Sequence, residues 1–150
     1  VSVLQVFESS LVAVTALALF IPLLVGTGGN VGAQAATSAV RALAVGEVRP
    51  SDALRVSWRE SRVGLLLGLV LGSLAFVAGW LVAGIGVGIT VGVSVVLVCI
   101  WAATVGAVMP LMARAMKIDP AVISAPLVTT LVDATGLLIY FGVAGVVLNL

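Results

Sequence analysis

The fold is decided by the stretch Ala121–Leu150, AVISAPLVTTLVDATGLLIYFGVAGVVLNL, in which Asp133 is the only charged side chain. A transmembrane helix needs roughly 20 consecutive apolar residues, so this stretch is long enough to span a bilayer. A charge at the centre of such a helix costs about 2.5–3.5 kcal/mol on insertion scales and is normally retained only where it faces a polar path. Asp133 is therefore predicted to line a pathway rather than to face lipid.

The composition of the whole chain also indicates a membrane protein. Hydrophobic residues make up 62% of the 150 residues and charged residues only 9%, and apolar windows long enough to span a bilayer recur. The single cysteine, Cys99, allows no disulfide within one chain, and the lack of His excludes His-based zinc or haem sites. A net charge of +1 does not favour nucleic-acid binding. The predicted fold class is all-α, a polytopic integral membrane helix bundle in one domain.

Four spans are predicted, at about residues 9–26 with a helical extension over 31–44, then 63–83, 87–109 and 121–148. The Gly-rich segment Gly26–Asn30, which follows Pro22, is predicted to break or kink the first helix, because Gly and Pro destabilise helices. In lipid such a break must face protein or water. Beyond the break, the helix is expected to end at Gly46.

The basic residues predict the orientation. The segment Arg41–Arg62 holds five arginines, the segment Arg114–Lys117 holds two basic residues, and the short link Gly84–Gly88 holds none. Short loops rich in Lys and Arg stay in the cytoplasm, so both basic segments are predicted to be cytoplasmic and the C-terminus extracellular. If the protein starts in the cytoplasm, an odd number of further spans precedes Val1.

Small residues recur at helical spacing in the second span. Gly64, Gly68 and Gly72 are four residues apart. Such stripes allow helices to approach closely in lipid. Close helix packing is therefore the predicted role of these glycines.

Polar residues form two stripes at spacings of three and four, which place them on one face of a helix. Asp133 lies near the middle of the last span, close to the bilayer midplane. Its stripe comprises Pro126, Thr129, Thr130, Asp133, Gly136 and Tyr140. The stripe after the first span comprises Gly26, Asn30, Gln34, Thr37 or Ser38, and Arg41. The two stripes are predicted to line one hydrophilic path.

The donors along this path are all oxygens, from a carboxylate, amides, hydroxyls and any backbone carbonyls freed by the predicted break. Hard cations prefer oxygen ligands, and Mg²⁺ is usually held through one or two carboxylates while it keeps several waters. One carboxylate per chain provides few charged ligands for a divalent ion. A twofold homodimer would bring two copies of Asp133 together on its axis.

Two separated motifs resemble a known family. The run Pro22–Gln34, PLLVGTGGNVGAQ, followed by Val40-Arg-Ala-Leu43, resembles the signature of the MgtE family of magnesium channels. The tail is similar to the last helix of that family in its segments Asp119-Pro-Ala, Ala125-Pro-Leu and Asp133-Ala-Thr-Gly-Leu-Leu-Ile-Tyr140. The resemblance covers essentially the whole chain.

The resemblance implies a homodimeric Mg²⁺-selective channel with five spans per subunit and its pore on the dimer axis. The pore aspartate of the family falls on Asp133, and its Gly-Gly-Asn stretch falls on Gly28, Gly29 and Asn30. The first span of the family and its cytoplasmic Mg²⁺-sensing domains are absent from these 150 residues, and the sequence leaves open whether such domains lie upstream. The candidate Mg²⁺ site therefore comprises Asp133, Asn30, Gly29, Gly28, Thr129, Thr130, Gly136 and Asp119, with the partners being a second subunit, membrane lipid and divalent cations.

Structural roles compete with these assignments. Asp133 is alternatively a carboxylate that accepts hydrogen bonds from Thr or Tyr of a neighbouring helix. Asn30 and Gln34 are alternatively partners in hydrogen bonds between helices. Asp119, beside Pro120, is most simply a helix cap and secondarily a cation ligand at the cytoplasmic mouth. The arginines of Arg41–Arg62 are expected to be topology anchors and lipid headgroup contacts.

Three classes of function remain open. The first is a channel, in which Asp133 supplies the selective charge. The second is a coupled divalent-cation exchanger, suggested by a broken helix near an acid at mid-depth. The third is a membrane anchor or dimerisation domain without transport. An enzyme such as an intramembrane protease is not expected, because Asp133 is the only buried acid and no Ser has an evident base.

Overall fold

The computed structural model describes the backbone of residues 2–123 and 125–149, and the side chains of residues 15–123 and 125–149. This part of the chain forms four long α-helices: α1 Ser2–Ala44, α2 Ala53–Ala83, α3 Ile85–Ala115 and α4 Ala125–Leu148. Short 3₁₀-helices, Pro50–Asp52 and Pro120–Val122, precede α2 and α4. Each α-helix is long and apolar enough to cross a membrane. The prediction of an all-helical fold with four long apolar helices is confirmed for the described residues.

Helix α3 is the central element, because it packs against α1, α2 and α4. Its first half is buried beside the first half of α1 and the end of α4, in a cluster that includes Leu24, Val95 and Tyr140. A second cluster, which includes Ala39, Val56 and Leu111, joins the end of α1 to the start of α2 and the end of α3. Consecutive helices are therefore antiparallel, and the α1–α2 and α3–α4 connections lie at the same end of the bundle.

The first helix is predicted to break or kink at Gly26–Asn30, and the structure contradicts the break. Helix α1 continues through Pro22 and through Gly26–Asn30 to Ala44, over 43 residues or roughly 65 Å. Backbone groups in an apolar surrounding must find partners within the helix, and this requirement outweighs the weak helix propensity of glycine. Two glycines of this segment, Gly28 and Gly29, lie at the contact with α4 instead. A methyl group at Gly28 would lie 3.1 Å from Val132 Cγ1 of α4, whereas one at Gly26 would meet no atom within 4 Å.

Several helix ends also differ from the predicted span limits. The link between α2 and α3 is Gly84 alone rather than Gly84–Gly88, and its φ of 88° lies in the left-handed region that favours glycine. Helix α3 runs through Pro110 to Ala115. Residues Pro120–Val122 form a 3₁₀-turn before α4 begins at Ala125. Helix α1 ends at Ala44, and Gly46 follows with a φ of 75°.

The glycine stripe of α2 forms the seam with α3, as the spacing predicts. A methyl group at Gly68 would lie 2.8 Å from Val96 Cα, and one at Gly72 would lie 2.8 Å from the Gly92 carbonyl oxygen. These neighbours are backbone atoms, so they cannot move aside as a side chain can. The two helices approach so closely only because α2 has no side chain on this face.

Substitution in this seam is therefore expected to destabilise the bundle. Gly68→Ala and Gly72→Ala should each lower stability by about 1–3 kcal/mol, because an added methyl group overlaps the backbone of α3. The control is Gly142→Ala in α4, where no atom lies within 4 Å of the added methyl group. Thermal unfolding in detergent, followed by loss of the monodisperse species, measures the difference. Equal midpoints for the three variants would contradict the close seam.

Candidate functional site

The site is centred on the contact between Gly29 of α1 and Asp133 of α4. A methyl group at Gly29 would lie 3.2 Å from Asp133 Oδ1 and 3.6 Å from Thr129 Cγ2. A side chain at this position would require the carboxylate to shift, so glycine allows the carboxylate to lie this close to the backbone of the facing helix. Gly29, Thr129 and Asp133, which sequence analysis selected from two distant motifs, thus come together in the fold.

The Asp133 carboxylate is unusual because one of its oxygens is enclosed yet unpaired. Oδ1 is buried and has no hydrogen-bond partner among the described residues. The neighbouring hydroxyls of Thr129 and Thr130 both donate to the Pro126 carbonyl oxygen, at 2.9 Å each, and not to Asp133. An acceptor left without a donor at low polarity is costly. The alternative of a structural carboxylate bonded to Thr or Tyr therefore finds no such bond in this part of the chain.

Asp133 lies at one edge of the α1–α4 seam, and α3 occupies the other edge. A methyl group at Gly28 would lie 2.6 Å from Val98 Cγ1 of α3, and one at Gly136 would lie 3.6 Å from the same valine. Gly28 and Gly136 are therefore buried on the α3 side. Gly29 follows Gly28 and Asp133 follows Val132 in the sequence. One residue corresponds to about 100° of rotation about the helix axis, so Gly29 and Asp133 lie to one side of the face that contacts α3. The carboxylate thus adjoins the edge that α3 leaves open.

The polar stripe of α1 lies on the exposed surface of the bundle. Asn30, Gln34, Thr37 and Arg41 are all exposed. The Thr37 hydroxyl donates to the Ala33 carbonyl oxygen of its own turn. The side-chain amides of Asn30 and Gln34 make no hydrogen bonds to other described helices, so the alternative role in interhelical hydrogen bonds finds no such bond among the described residues. Thr130 of α4 is exposed as well.

Two further residues of the predicted stripes have structural roles. The Tyr140 side chain is fully buried, and its hydroxyl donates to the Leu17 carbonyl oxygen of α1 at 2.9 Å. Asp119 caps the 3₁₀-turn, because its Oδ1 accepts a hydrogen bond from the Ala121 backbone N–H at 2.9 Å. Asp119 lies beyond the start of α4, which is itself about 12 Å along the helix axis from Asp133. Asp119 and Asp133 therefore do not lie in the same site.

One polar contact between helices was missed by sequence reasoning. The Trp101 Nε1–H of α3 donates to Thr135 Oγ1 of α4 at 2.7 Å, and Thr135 in turn donates to the Leu131 carbonyl oxygen. The signal was present in the sequence, since an indole N–H in an apolar span needs an acceptor. This bond ties α4 to α3 two residues beyond Asp133.

A single chain offers one carboxylate to an ion at this site. No group of three His, Cys, Asp or Glu side chains able to hold a metal ion occurs within residues 15–123 and 125–149. The other oxygen donors on this part of α4 are the hydroxyls of Thr129 and Thr130, one turn before Asp133. Such a set suits a cation that keeps most of its own water.

The fold and the site together define a multi-pass α-helical membrane protein with an acidic polar site on the open edge of a helix seam. The model of a family described as "MgtE: Divalent cation transporter" matches residues 21–143. The chain belongs to the MgtE family.

Curated relatives agree with this assignment. The magnesium transporter MgtE of Thermus thermophilus is 49% identical over 148 residues, which cover 99% of this chain and 33% of that protein. The magnesium transporter MgtE of Bacillus subtilis is 35% identical over 95% of this chain and 32% of its own length. That of Enterococcus faecalis is 34% identical over the same shares. This chain thus spans about a third of the length of these relatives.

Proposed function

We propose that this chain is the membrane domain of a magnesium channel, in which Mg²⁺ moves down its electrochemical gradient past Asp133. The observation that supports the proposal is the burial of Asp133 Oδ1 against Gly29. This oxygen has no hydrogen-bond partner among the described residues. A mid-span carboxylate is retained where it serves a polar path. The names of the relatives specify magnesium, and the oxygen donors beside Asp133 suit a hydrated Mg²⁺ ion.

A second subunit completes the site in this proposal. Asn30, Gln34 and Arg41 are exposed along α1, and polar groups of this kind rarely face lipid. A twofold axis beside α1 and α4 covers them and brings two copies of Asp133 together. Two facing carboxylates then hold a hydrated ion, with Asn30, Thr129 and Thr130 contacting its water shell.

The remaining candidates take secondary parts in the proposal. Gly28 and Gly136 allow α1, α3 and α4 to pack closely enough to set the position of Asp133. Asp119 lies near Arg114 and Lys117 at the end of the bundle where the basic connections meet. These connections are cytoplasmic in the proposed topology, with the C-terminus extracellular, and the full protein has five spans per subunit.

The coupled exchanger has less support than the channel. It was suggested by a helix broken near a mid-depth acid, as in secondary transporters, and α1 is continuous at that point. In the channel, Mg²⁺ currents across a patch reverse at the Mg²⁺ equilibrium potential. A requirement for an opposing Na⁺ or H⁺ gradient would instead establish the exchanger.

Removal of the carboxylate tests the role of Asp133. Asp133→Asn in the full-length protein should lower Mg²⁺ flux into liposomes by at least about tenfold, because the selective charge is lost while the side-chain volume is kept. Cross-linking should show that the dimer persists. The control Thr104→Val removes a polar group whose hydroxyl bonds only the Ile100 carbonyl oxygen of its own turn, and its flux should be unchanged. Full flux in Asp133→Asn would remove this residue from the mechanism.

Crowding of the carboxylate tests the contact between the helices. Gly29→Ala places a methyl group 3.2 Å from Asp133 Oδ1, so it should displace or shield the carboxylate and reduce Mg²⁺ flux. The matched control is Gly142→Ala, whose methyl group meets no atom within 4 Å. Both variants are compared by liposome flux at equal amounts of folded protein. If Gly29→Ala transports as well as Gly142→Ala, the ion does not pass beside this contact.

A further inference from the structure

A basic cleft lies at the start of α2, away from Asp133. It has a volume of about 300 Å³ and is lined in part by Arg55, Arg59 and Arg62. These arginines are spaced by four and three residues, so they project from one face of the helix. All three are exposed. The cleft therefore presents three guanidinium groups to one small volume.

Three arginines and two acids line the cleft, so its lining carries an excess of one positive charge. Among the side chains that the structure describes, the only ion pair joins Arg59 to Glu60 at 3.0 Å. Asp52 also lines the cleft, but its Oδ2 accepts a hydrogen bond from the Arg49 backbone N–H at 2.8 Å. Glu47 is the other acid at the cleft. Arg55 and Arg62 are in no ion pair among the described side chains, and guanidinium groups match the geometry of phosphate, so the cleft suits a phosphate group.

The neighbouring face of α2 is apolar and exposed. Leu54 is 87% exposed and Trp58 is 69% exposed, and they lie four residues apart beside the arginine face. The same apolar face continues along α2 through Leu65 and Leu69, which are both exposed. A tryptophan at this position is typical of the membrane–water interface. The cleft is thus continuous with a stripe suited to acyl chains.

We infer that this cleft binds the phosphate headgroup of an anionic phospholipid, with the acyl chains lying along Leu54, Trp58 and Leu65. The phosphate accepts hydrogen bonds from Arg55, Arg59 and Arg62. The combination favours a lipid over a soluble anion or a protein surface, because the apolar stripe leads from the cleft into the span of α2. This inference is independent of the ion that the protein transports.

Native mass spectrometry of the full-length protein in detergent tests the inference, with phosphatidylglycerol and phosphatidylcholine of identical acyl chains as probes. Wild type should retain phosphatidylglycerol in preference to phosphatidylcholine. The triple variant Arg55→Gln, Arg59→Gln, Arg62→Gln should retain phosphatidylglycerol at least about tenfold less, because it removes the guanidinium groups that converge on the phosphate in the cleft. The matched control, Arg49→Gln, Arg114→Gln, Lys117→Gln, removes the same charge outside the cleft and should retain it as wild type does.

A second variant keeps the test decisive if the triple variant fails to fold. Leu54→Ser with Trp58→Ser leaves every charge in place and should still weaken retention, because it removes the contacts of the acyl chains. Displacement of the lipid by excess inorganic phosphate would overturn the lipid assignment in favour of a soluble anion. Equal retention of both lipids by wild type, or of phosphatidylglycerol by both triple variants, would also overturn it.

Discussion

The backbone of this chain must satisfy its hydrogen bonds within each helix, and the rest of the structure depends on that constraint. In an apolar surrounding an unpaired N–H or C=O has no water to bond, so α1 stays helical through Pro22 and a run of glycines. Continuous helices joined by few hydrogen bonds need another means of association. Glycine provides it, since Gly68 and Gly72 bring α2 against the backbone of α3, and Gly28 and Gly29 bring α1 against α4.

The candidate site is a consequence of this packing. Because Gly29 has no side chain, the Asp133 carboxylate fits between two helices, where its Oδ1 is enclosed without a partner. Around it, Tyr140 and Trp101 anchor α4 to α1 and α3 through hydrogen bonds. These bonds hold the helix that carries Asp133 while leaving the carboxylate itself free. In the proposed function, this support holds Asp133 in position for the ion, because Oδ1 has no hydrogen-bond partner among the described residues.

Particular residues show where sequence reasoning succeeded and failed. The spacing of the α2 glycines predicted their packing role, and the Asp119-Pro120 pair predicted the cap, because both signals are local. The break at Gly26–Asn30 was predicted from propensity, which tertiary packing overrides. Gly136 and Tyr140 were grouped with Asp133 by helical spacing, yet they face α3 and α1. Helical spacing identifies a face but not what the face touches.

The sequence by itself determined the membrane environment and the number of long apolar helices in the described chain. It also identified Asp133 as the one acid among the apolar residues of the last span. These follow from composition and local pattern, which act over a few turns of helix. Only the tertiary structure decided that Asp133 meets Gly29, a residue more than a hundred positions away, and that α3 closes one edge of their seam while the other edge stays open. The physical reason is that such contacts depend on how whole helices dock, and docking is set by side chains from several helices at once.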